Sequence, residues 1–447
     1  MSPGRIVLAI IIIALVVVAG VVWFVRGPGP LDFANGEPVA SADYRGANPT
    51  GVPAQLTNAS LIERGEYLAR AADCAVCHTS KGGKEFAGGL AFKLPFGALY
   101  STNITPDKDT GIGNYSDQDF LNAIHRGVRR DGAHLYPAMP FTSYTYMTDA
   151  DALAIKAYLF SLAPVHAVAP DNTLTFPFNQ RWAMIFWSAV FNRDVRFAPD
   201  TKKSPEWNRG AYLAEALAHC GECHTPRNLA FALDNREKFA GAVTAGWRAF
   251  NISSDKATGL GAWRDEDIFT YLAAGHATGH GTASGPMGEA VDESLSKLTS
   301  GDIRAIVAYL RTVPALASPD LPAPRTAPAP ASHREGVVAQ NAVGKKVFEG
   351  ACVSCHGWSG ESAITPMATL TGAWSVNDPG ATNVAQIVIT GTKRSTPPGA
   401  IAMPAFGATH SDAEIAAVAN YVTARFGARG SQLTERDVAE LRKQGSE

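Results

Sequence analysis

The chain has six cysteines, and all of them fall in one pattern. Cys74 and Cys77 lie in CAVCH, Cys220 and Cys223 in CGECH, and Cys352 and Cys355 in CVSCH, each pair followed directly by a histidine, His78, His224 or His356. Three chemistries use a Cys-x-x-Cys pair. A structural zinc site needs four ligands, and each segment supplies two thiols and one imidazole with no second pair beside it. A thiol–disulfide site belongs in a thioredoxin-like βαβ setting and leaves three identically placed histidines without a role. Covalent haem attachment uses every residue of the motif. Cysteines at i and i+3 share a helical face, so both sulfurs reach the vinyl groups of one porphyrin. The next residue then turns its imidazole to the iron. The motifs point to three covalently bound haem c groups with His78, His224 and His356 as proximal ligands.

The second axial position decides what such an iron can do. A methionine closes the iron and raises its potential, whereas an open position favours small-molecule chemistry. Each repeat carries one methionine beside a proline after a Gly-rich stretch: Met139 in YPAMPF, Met287 in SGPMGE and Met403 in AIAMPAF. A soft thioether suits low-spin iron, and these three are the expected distal ligands. His134 and His280 are the rivals by position. Met184, in an aromatic run, reads as core filler, as do Met147 and Met367.

The elements that must position these groups also repeat. RGEYLARAADC, RGAYLAEALAHC and VGKKVFEGAC precede the three motifs, each a helix with Gly65, Gly210 or Gly344 near its start and an aromatic soon after, Tyr67, Tyr212 or Phe348. NITPDKDTGIGNYSDQDF (103–120) nearly repeats as NISSDKATGLGAWRDEDI (251–268). Asn103 and Asn251 match the glycosylation sequon, but their repeated context makes them turn residues that bond nearby backbone. Each repeat closes with an Ala-rich helix, at 148–162, 300–313 and 411–426, with Thr148, Ser300 and Ser411 as expected N-caps and Ser411 with Glu414 as a capping box. PALASPDLPAPRTAPAPAS (314–332) reads as an extended spacer, and residues 27–55 as a polar tether.

Residues 6–25, IVLAIIIIALVVVAGVVWFV, hold no charge and lie between Arg5 and Arg26. That length crosses the hydrocarbon core as a helix. It exceeds the apolar run of a cleaved signal, although VVAG near residue 20 leaves cleavage open. Either reading exports the rest. The remaining composition is that of folded protein, 46% hydrophobic with a net charge of −2. Nothing in it forms the basic stripe of a nucleic-acid binder. FPFNQRWAMIFWSAVF (176–191) is too short to span a bilayer. Its Trp182, Phe186 and Trp187 suit an interfacial helix beside the quinone pool, or a helix packed between repeats. Arg126, Arg129 and Arg227 lie near the motifs as candidate propionate partners or as ordinary surface charge. The tail 434–447 reads as a charged, solvated helix.

The three Cys-x-x-Cys-His units, STNITPDKDTGIG, HLYPAMPF and NISSDKATGLGAW together resemble the triple-haem cytochrome c subunits of bacterial membrane-bound dehydrogenases, over roughly residues 56–428. The resemblance implies an all-α fold of three tandem class I-like cytochrome c domains behind an N-terminal transmembrane helix. The boundaries would be an anchor at 1–26, a linker at 27–55, domains at 56–165, 205–313 and 337–428, an aromatic connection at 166–204, a Pro/Ala linker at 314–336 and a tail at 429–447. It implies a relay of electrons from a large catalytic dehydrogenase subunit of molybdopterin, PQQ or FAD type, with a small third subunit, to ubiquinone. The haem domains would face the periplasm at the bacterial inner membrane. In the alcohol and sugar dehydrogenase versions the N-terminal segment resembles a cleaved signal. The retained apolar helix here leans toward an aldehyde dehydrogenase of the molybdenum-hydroxylase type. A free-standing carrier to an oxidase and a multihaem peroxidase are the alternatives. The chain shows no Rossmann or P-loop signature, so no catalytic site of its own is expected.

Overall fold

The computed structural model describes residues 3–34, 49–325, 341–396 and 399–445. Helix α1 (Pro3–Arg26) is apolar between Arg5 and Arg26 and buries none of its residues. It is long and apolar enough to cross a membrane. Beyond it the chain is helical, with one departure from the all-α expectation. Four two-stranded antiparallel hairpins are present among the described residues: β1 (Ala91–Leu94) with β2 (Gly97–Tyr100), β3 (Ala242–Thr244) with β4 (Trp247–Ala249), β5 (His276–Ala277) with β6 (Gly281–Thr282), and β7 (Thr392–Thr396) with β8 (Gly399–Met403). These strands are two to five residues long, too short to leave a legible alternation.

In each repeat a helix before the motif crosses a long closing helix. In the first, α2 (Leu61–Ala71) leads to the motif helix α3 (Cys74–His78), then α4 (Asp117–Arg126), α5 (Phe141–Tyr144) and the closing helix α6 (Asp149–Ser161). After α7 (Met184–Phe191), the second repeat has α8 (Pro205–Tyr212), the motif helix α9 (Gly221–His224), α10 (Asp265–Ala274), α11 (Gly285–Glu293) and the closing helix α12 (Ser300–Leu310). The third has α13 (Ala342–Val347), α14 (Val353–His356), α15 (Trp374–Asn377), α16 (Thr382–Thr390) and α17 (Asp412–Phe426), followed by the tail helix α18 (Glu435–Gly445).

A glycine sets every one of these crossings. A Cβ on Gly65 would stand 1.9 Å from the Ala154 carbonyl oxygen, on Gly210 1.9 Å from that of Ala305, and on Gly344 2.3 Å from that of Ala417. No side chain fits there, so the two backbones touch. The closing helices are capped from their own sequence. Thr148 accepts from Asp151 N, and Ser411 with Glu414 completes a capping box. In the second repeat the cap is Thr299, which accepts from Asp302 N, rather than Ser300, the first residue of the helix.

The core joins the first two repeats into one body. A single cluster of buried side chains runs from Leu68 through Tyr158, Trp207 and Tyr212 to Tyr309 and Val313. The third repeat has its own, around Phe348, Ile415, Tyr421 and Phe426. Burying a side chain of this size contributes about 1.5–3 kcal/mol. Two polar exchanges cross the first body. The Tyr67 hydroxyl donates to Asp302 Oδ2 at 2.6 Å and accepts from Thr299 N at 3.1 Å. The Tyr212 hydroxyl donates to Asp151 Oδ2 at 2.5 Å and accepts from Thr148 N at 3.3 Å. Each repeat thus inserts its tyrosine into the N-terminus of the other's closing helix. Arg209 completes the first exchange, binding Asp302 through Nε at 2.8 Å and Nη2 at 2.6 Å.

The expected linkers are held rather than loose where they are described. Arg209 Nη1 donates to the Pro49 and Gly51 carbonyls. Ser318 N donates to Thr258 Oγ1 at 2.9 Å, and Arg325 N to Asn377 Oδ1 at 2.8 Å. The remainder, 35–48 and 326–340, lies outside the described residues. The tail also packs: Val438 of α18 is fully buried in the third core.

Candidate haem-binding sites

No two of the six sulfurs are joined in a disulfide. Burial pushes Cys74, Cys77 and Cys220 up to about 12, and Cys223 and Cys352 up to about 11. A redox-active Cys-x-x-Cys pair needs the opposite shift, toward thiolate at neutral pH, so a disulfide exchange site does not fit. Zinc does not fit either: among the described residues, no three His, Cys, Asp or Glu side chains converge as a ligand group.

The backbone kinks just before two of the motifs. Asp73 and His219, each immediately before the first cysteine, take positive φ values of 55° and 36°. The second and third approach helices end in π-helical turns at Leu213–Leu217 and Phe348–Cys352. Such turns re-aim a helix and recur at functional sites. In the first two repeats the motif is set off as a separate short helix, whereas in the third the π-helical turn runs straight into it.

The three histidines share one geometry. His78 Nδ1 lies 2.6 Å from the Thr102 carbonyl, His224 Nδ1 2.6 Å from that of Phe250, and His356 Nδ1 2.6 Å from that of Ala368. A carbonyl can only accept, so each Nδ1 carries the proton and each Nε2 lone pair is directed elsewhere. This second partner fixes the tautomer of a metal-binding imidazole. Burial lowers the pKa of all three rings, which keeps them neutral. Around the first two motifs the same frame repeats. Gly88 N and Gly241 N donate to the His78 and His224 carbonyls at 2.7 and 2.9 Å. Phe86 N and Phe239 N donate to Thr79 and Thr225 Oγ1 at 3.2 and 3.1 Å. Two thiols one helical turn apart with a neutral, pre-oriented imidazole beside them fit haem c.

The methionines sit in three different settings. Met139 occupies a turn just before α5 and packs half-buried on the shared core. Met287 lies in the first turn of α11, also against that core. Met403 ends β8, half-buried and paired with Thr392 of β7. The rival His280 is engaged elsewhere: its ring stacks on Trp263 at 3.6 Å, and its Nε2 lies 3.6 Å from Asp267. His134 holds its Nδ1 buried without a hydrogen-bond partner. The three arginines pair with protein carboxylates, Arg126 with Asp194, Arg129 with Asp131 and Arg227 with Glu222. Asn103 and Asn251 are buried, and their amides bond the Val165 and Leu316 carbonyls, which makes them turn locks.

The first two motifs are neighbours. The Tyr144 hydroxyl donates to the Ala72 carbonyl at 2.5 Å, and its ring meets His219 edge-on at 5.4 Å. Ser143 Oγ donates to Glu222 Oε1 at 2.8 Å. The third repeat docks on the second. Trp374 packs against Trp263, Asn383 exchanges two hydrogen bonds with the Arg248 backbone, and Arg394 of β7 reaches α11. There the Arg394 guanidinium, 3% exposed, binds the Gly288 carbonyl at 2.8 Å and Asp292 at 2.7 Å. This arginine's role is not legible from sequence, because its partners lie about a hundred residues away.

Comparison with known proteins agrees with this chemistry. The family model for cytochrome c matches residues 62–163, and that for cytochrome c oxidase, cbb3-type, subunit III matches 339–422. The fructose dehydrogenase cytochrome subunit of Gluconobacter japonicus is 38% identical, covering 90% of this chain and 87% of that protein. The gluconate 2-dehydrogenase cytochrome c subunit of Pantoea cypripedii is 39% identical over 86% of this chain and 90% of its own. The chain belongs to the family of cytochrome c subunits of bacterial dehydrogenases. A third member, the cytochrome c subunit of the quinone alcohol dehydrogenase of Gluconobacter oxydans, is 35% identical over 88% of this chain and 84% of its own. Its relatives thus serve dehydrogenases of different substrates. As a cytochrome c subunit, this chain carries haem c, transfers electrons and works with a catalytic dehydrogenase partner.

Proposed function

We propose that this chain binds three haem c groups and relays electrons from a periplasmic dehydrogenase subunit to ubiquinone at the inner membrane, with α1 as its anchor. Cys74 and Cys77, Cys220 and Cys223, and Cys352 and Cys355 would hold the groups. His78 with Met139, His224 with Met287 and His356 with Met403 would be the axial ligands, in three tandem domains at 56–165, 205–313 and 337–428. Haem c supplies one-electron carriage when bound. The protein's own residues hold, orient and shield. The thiols lie on or directly before the motif helices, the carbonyls of Thr102, Phe250 and Ala368 fix the imidazoles, and the shared core keeps the first two motifs adjacent. The observation that carries this reading is that threefold histidine–carbonyl geometry.

The partner we propose oxidises an alcohol or aldehyde. The alcohol dehydrogenase relative and the apolar helix support that choice, while the sugar-linked relatives support the relay alone. The test is a haem count per polypeptide, together with stopped-flow reoxidation of the reduced protein by a short-chain ubiquinone. Three haems and rapid reoxidation are expected. Fewer haems, or a reduced protein inert to the quinone, would overturn the reading.

A further inference from the structure

The helix α7 is amphipathic in an unusual sense: it carries no charge, yet three of its eight residues, Ile185, Phe186 and Ala189, are exposed. Trp187 is the inward residue, donating to the Ala230 carbonyl at 2.7 Å and meeting Phe141 edge-on. Ile185 and Phe186, with Trp182 just before the helix, are 50%, 65% and 61% exposed. The loop that Trp187 grips continues the surface. Leu229 is fully exposed, and Phe231 packs on Phe96 and Phe178 while remaining half-exposed itself. A contiguous exposed patch of this kind marks an interaction site.

What covers it is indicated by α1. The C-terminal end of that helix is fastened beside the patch. Asn228 Nδ2 donates to the Val25 carbonyl, Arg193 Nη2 to that of Gly27 at 2.8 Å and Asn235 Nδ2 to that of Pro28 at 3.1 Å. Arg236 bonds the Phe24 carbonyl, its guanidinium 4.9 Å from the Phe24 ring. α1 also contacts α7 directly. If α1 spans the bilayer, the bilayer surface meets the protein at Trp23 to Arg26. The patch then lies at the depth where tryptophan and phenylalanine rings favour the headgroup boundary, with arginines at its margin.

We propose that Trp182, Ile185, Phe186, Leu229 and Phe231 form a second membrane contact, a monotopic surface that seats the first two repeats on the lipid interface. The proposal rests on α1 being the anchor. Two contacts hold the body against the bilayer, where a single helix alone would let it swing.

The full-length holoprotein, reconstituted in phosphatidylcholine/phosphatidylglycerol vesicles carrying a diazirine-tailed phospholipid, tests it by photolabelling and peptide mapping. Label in 6–25 and also in 176–191 and 229–231 is expected, with labelling of 176–191 falling severalfold in the Trp182→Ser/Phe186→Ser variant. Label confined to 6–25 leaves the anchor standing and overturns the second contact. Label in neither region sinks both. Label in 176–191 that disappears when the dehydrogenase partner is reconstituted alongside makes the patch a protein interface and overturns the proposal.

Discussion

The exchanged tyrosines should set how firmly the first two repeats are joined, and they should not be equivalent. Removing the Tyr67 hydroxyl orphans Thr299 N, but Asp302 keeps its two-pronged bond to Arg209. Removing the Tyr212 hydroxyl orphans Thr148 N and leaves the Asp151 carboxylate, 1% exposed, with the Gly51 amide at 2.7 Å and no arginine. A hydrogen bond to a charged group contributes about 1.5–3 kcal/mol. Tyr67→Phe should therefore cost about 1.5 kcal/mol and Tyr212→Phe about 3 kcal/mol. Native-state hydrogen exchange reads this locally. About 1.4 kcal/mol is a tenfold change in an opening constant, so protection in α2, α6, α8 and α12 should fall about tenfold in the first variant and about a hundredfold in the second. Protection in α17 should hold, because the third repeat has a separate core and its equivalent residue, Phe348, carries no hydroxyl. If Tyr212→Phe cost less than Tyr67→Phe, or if α17 lost protection in step with the others, the description of a tyrosine-locked pair would be wrong.

Four further outcomes follow. Gly210→Ala puts a methyl group against the Ala305 carbonyl. It should cost more than the about 1–3 kcal/mol of ordinary overpacking, because backbone cannot rotate away; guanidinium titration checks it. On the proposed ligand set, Met139→Leu should abolish one methionine–iron charge-transfer band and open one haem to carbon monoxide, while leaving the others low-spin. Arg394→Gln should shift the midpoint potential of the haem proposed to take Met287, since that arginine braces the Met287 helix; unchanged potentials for all haems would dismiss it. Burial, with Arg196 nearby, lowers His125 to about 4. The unfolded chain then binds this proton near the ordinary histidine pKa of about 6.5 while the folded one does not. Stability should therefore rise with pH between about 4 and 6.5, by about 3 kcal/mol in all. The difference between wild type and His125→Leu across that window measures it.

The chemistry of the sites was legible because it is local. A five-residue motif, a glycine near the start of an approach helix and a cap at Thr148 or Ser411 are each read within a turn or two of chain, and each occurs more than once. The second closing helix shows the limit of that reading. Ser300 and Thr299 are both good caps, and only the bond from Asp302 N to Thr299 decides between them. What stayed hidden is non-local. Tyr67 and Tyr212 were visible as aligned aromatics, but their carboxylate partners sit in the opposite repeat. The first three hairpins turn at or beside Gly97, Gly246 and Gly279, all with positive φ, and glycine-rich stretches read as loops until their pairing is seen. The spacer after residue 313 looked unstructured from its prolines, yet Ser318 is drawn against Thr258 and the Ala240 carbonyl. Composition reports that a segment has no core of its own, not that it lacks one to lean on.

The central claim is a relay that serves a dehydrogenase. Gentle detergent extraction from the native membrane, followed by mass spectrometry and cofactor analysis of what co-purifies, tests it most directly. The account predicts a larger catalytic dehydrogenase subunit in the complex, bearing a molybdopterin, PQQ or flavin cofactor, with three haem c groups on this chain. A cytochrome that leaves the membrane alone, with all its haems intact and low-spin, would contradict it and leave a free-standing electron carrier in its place.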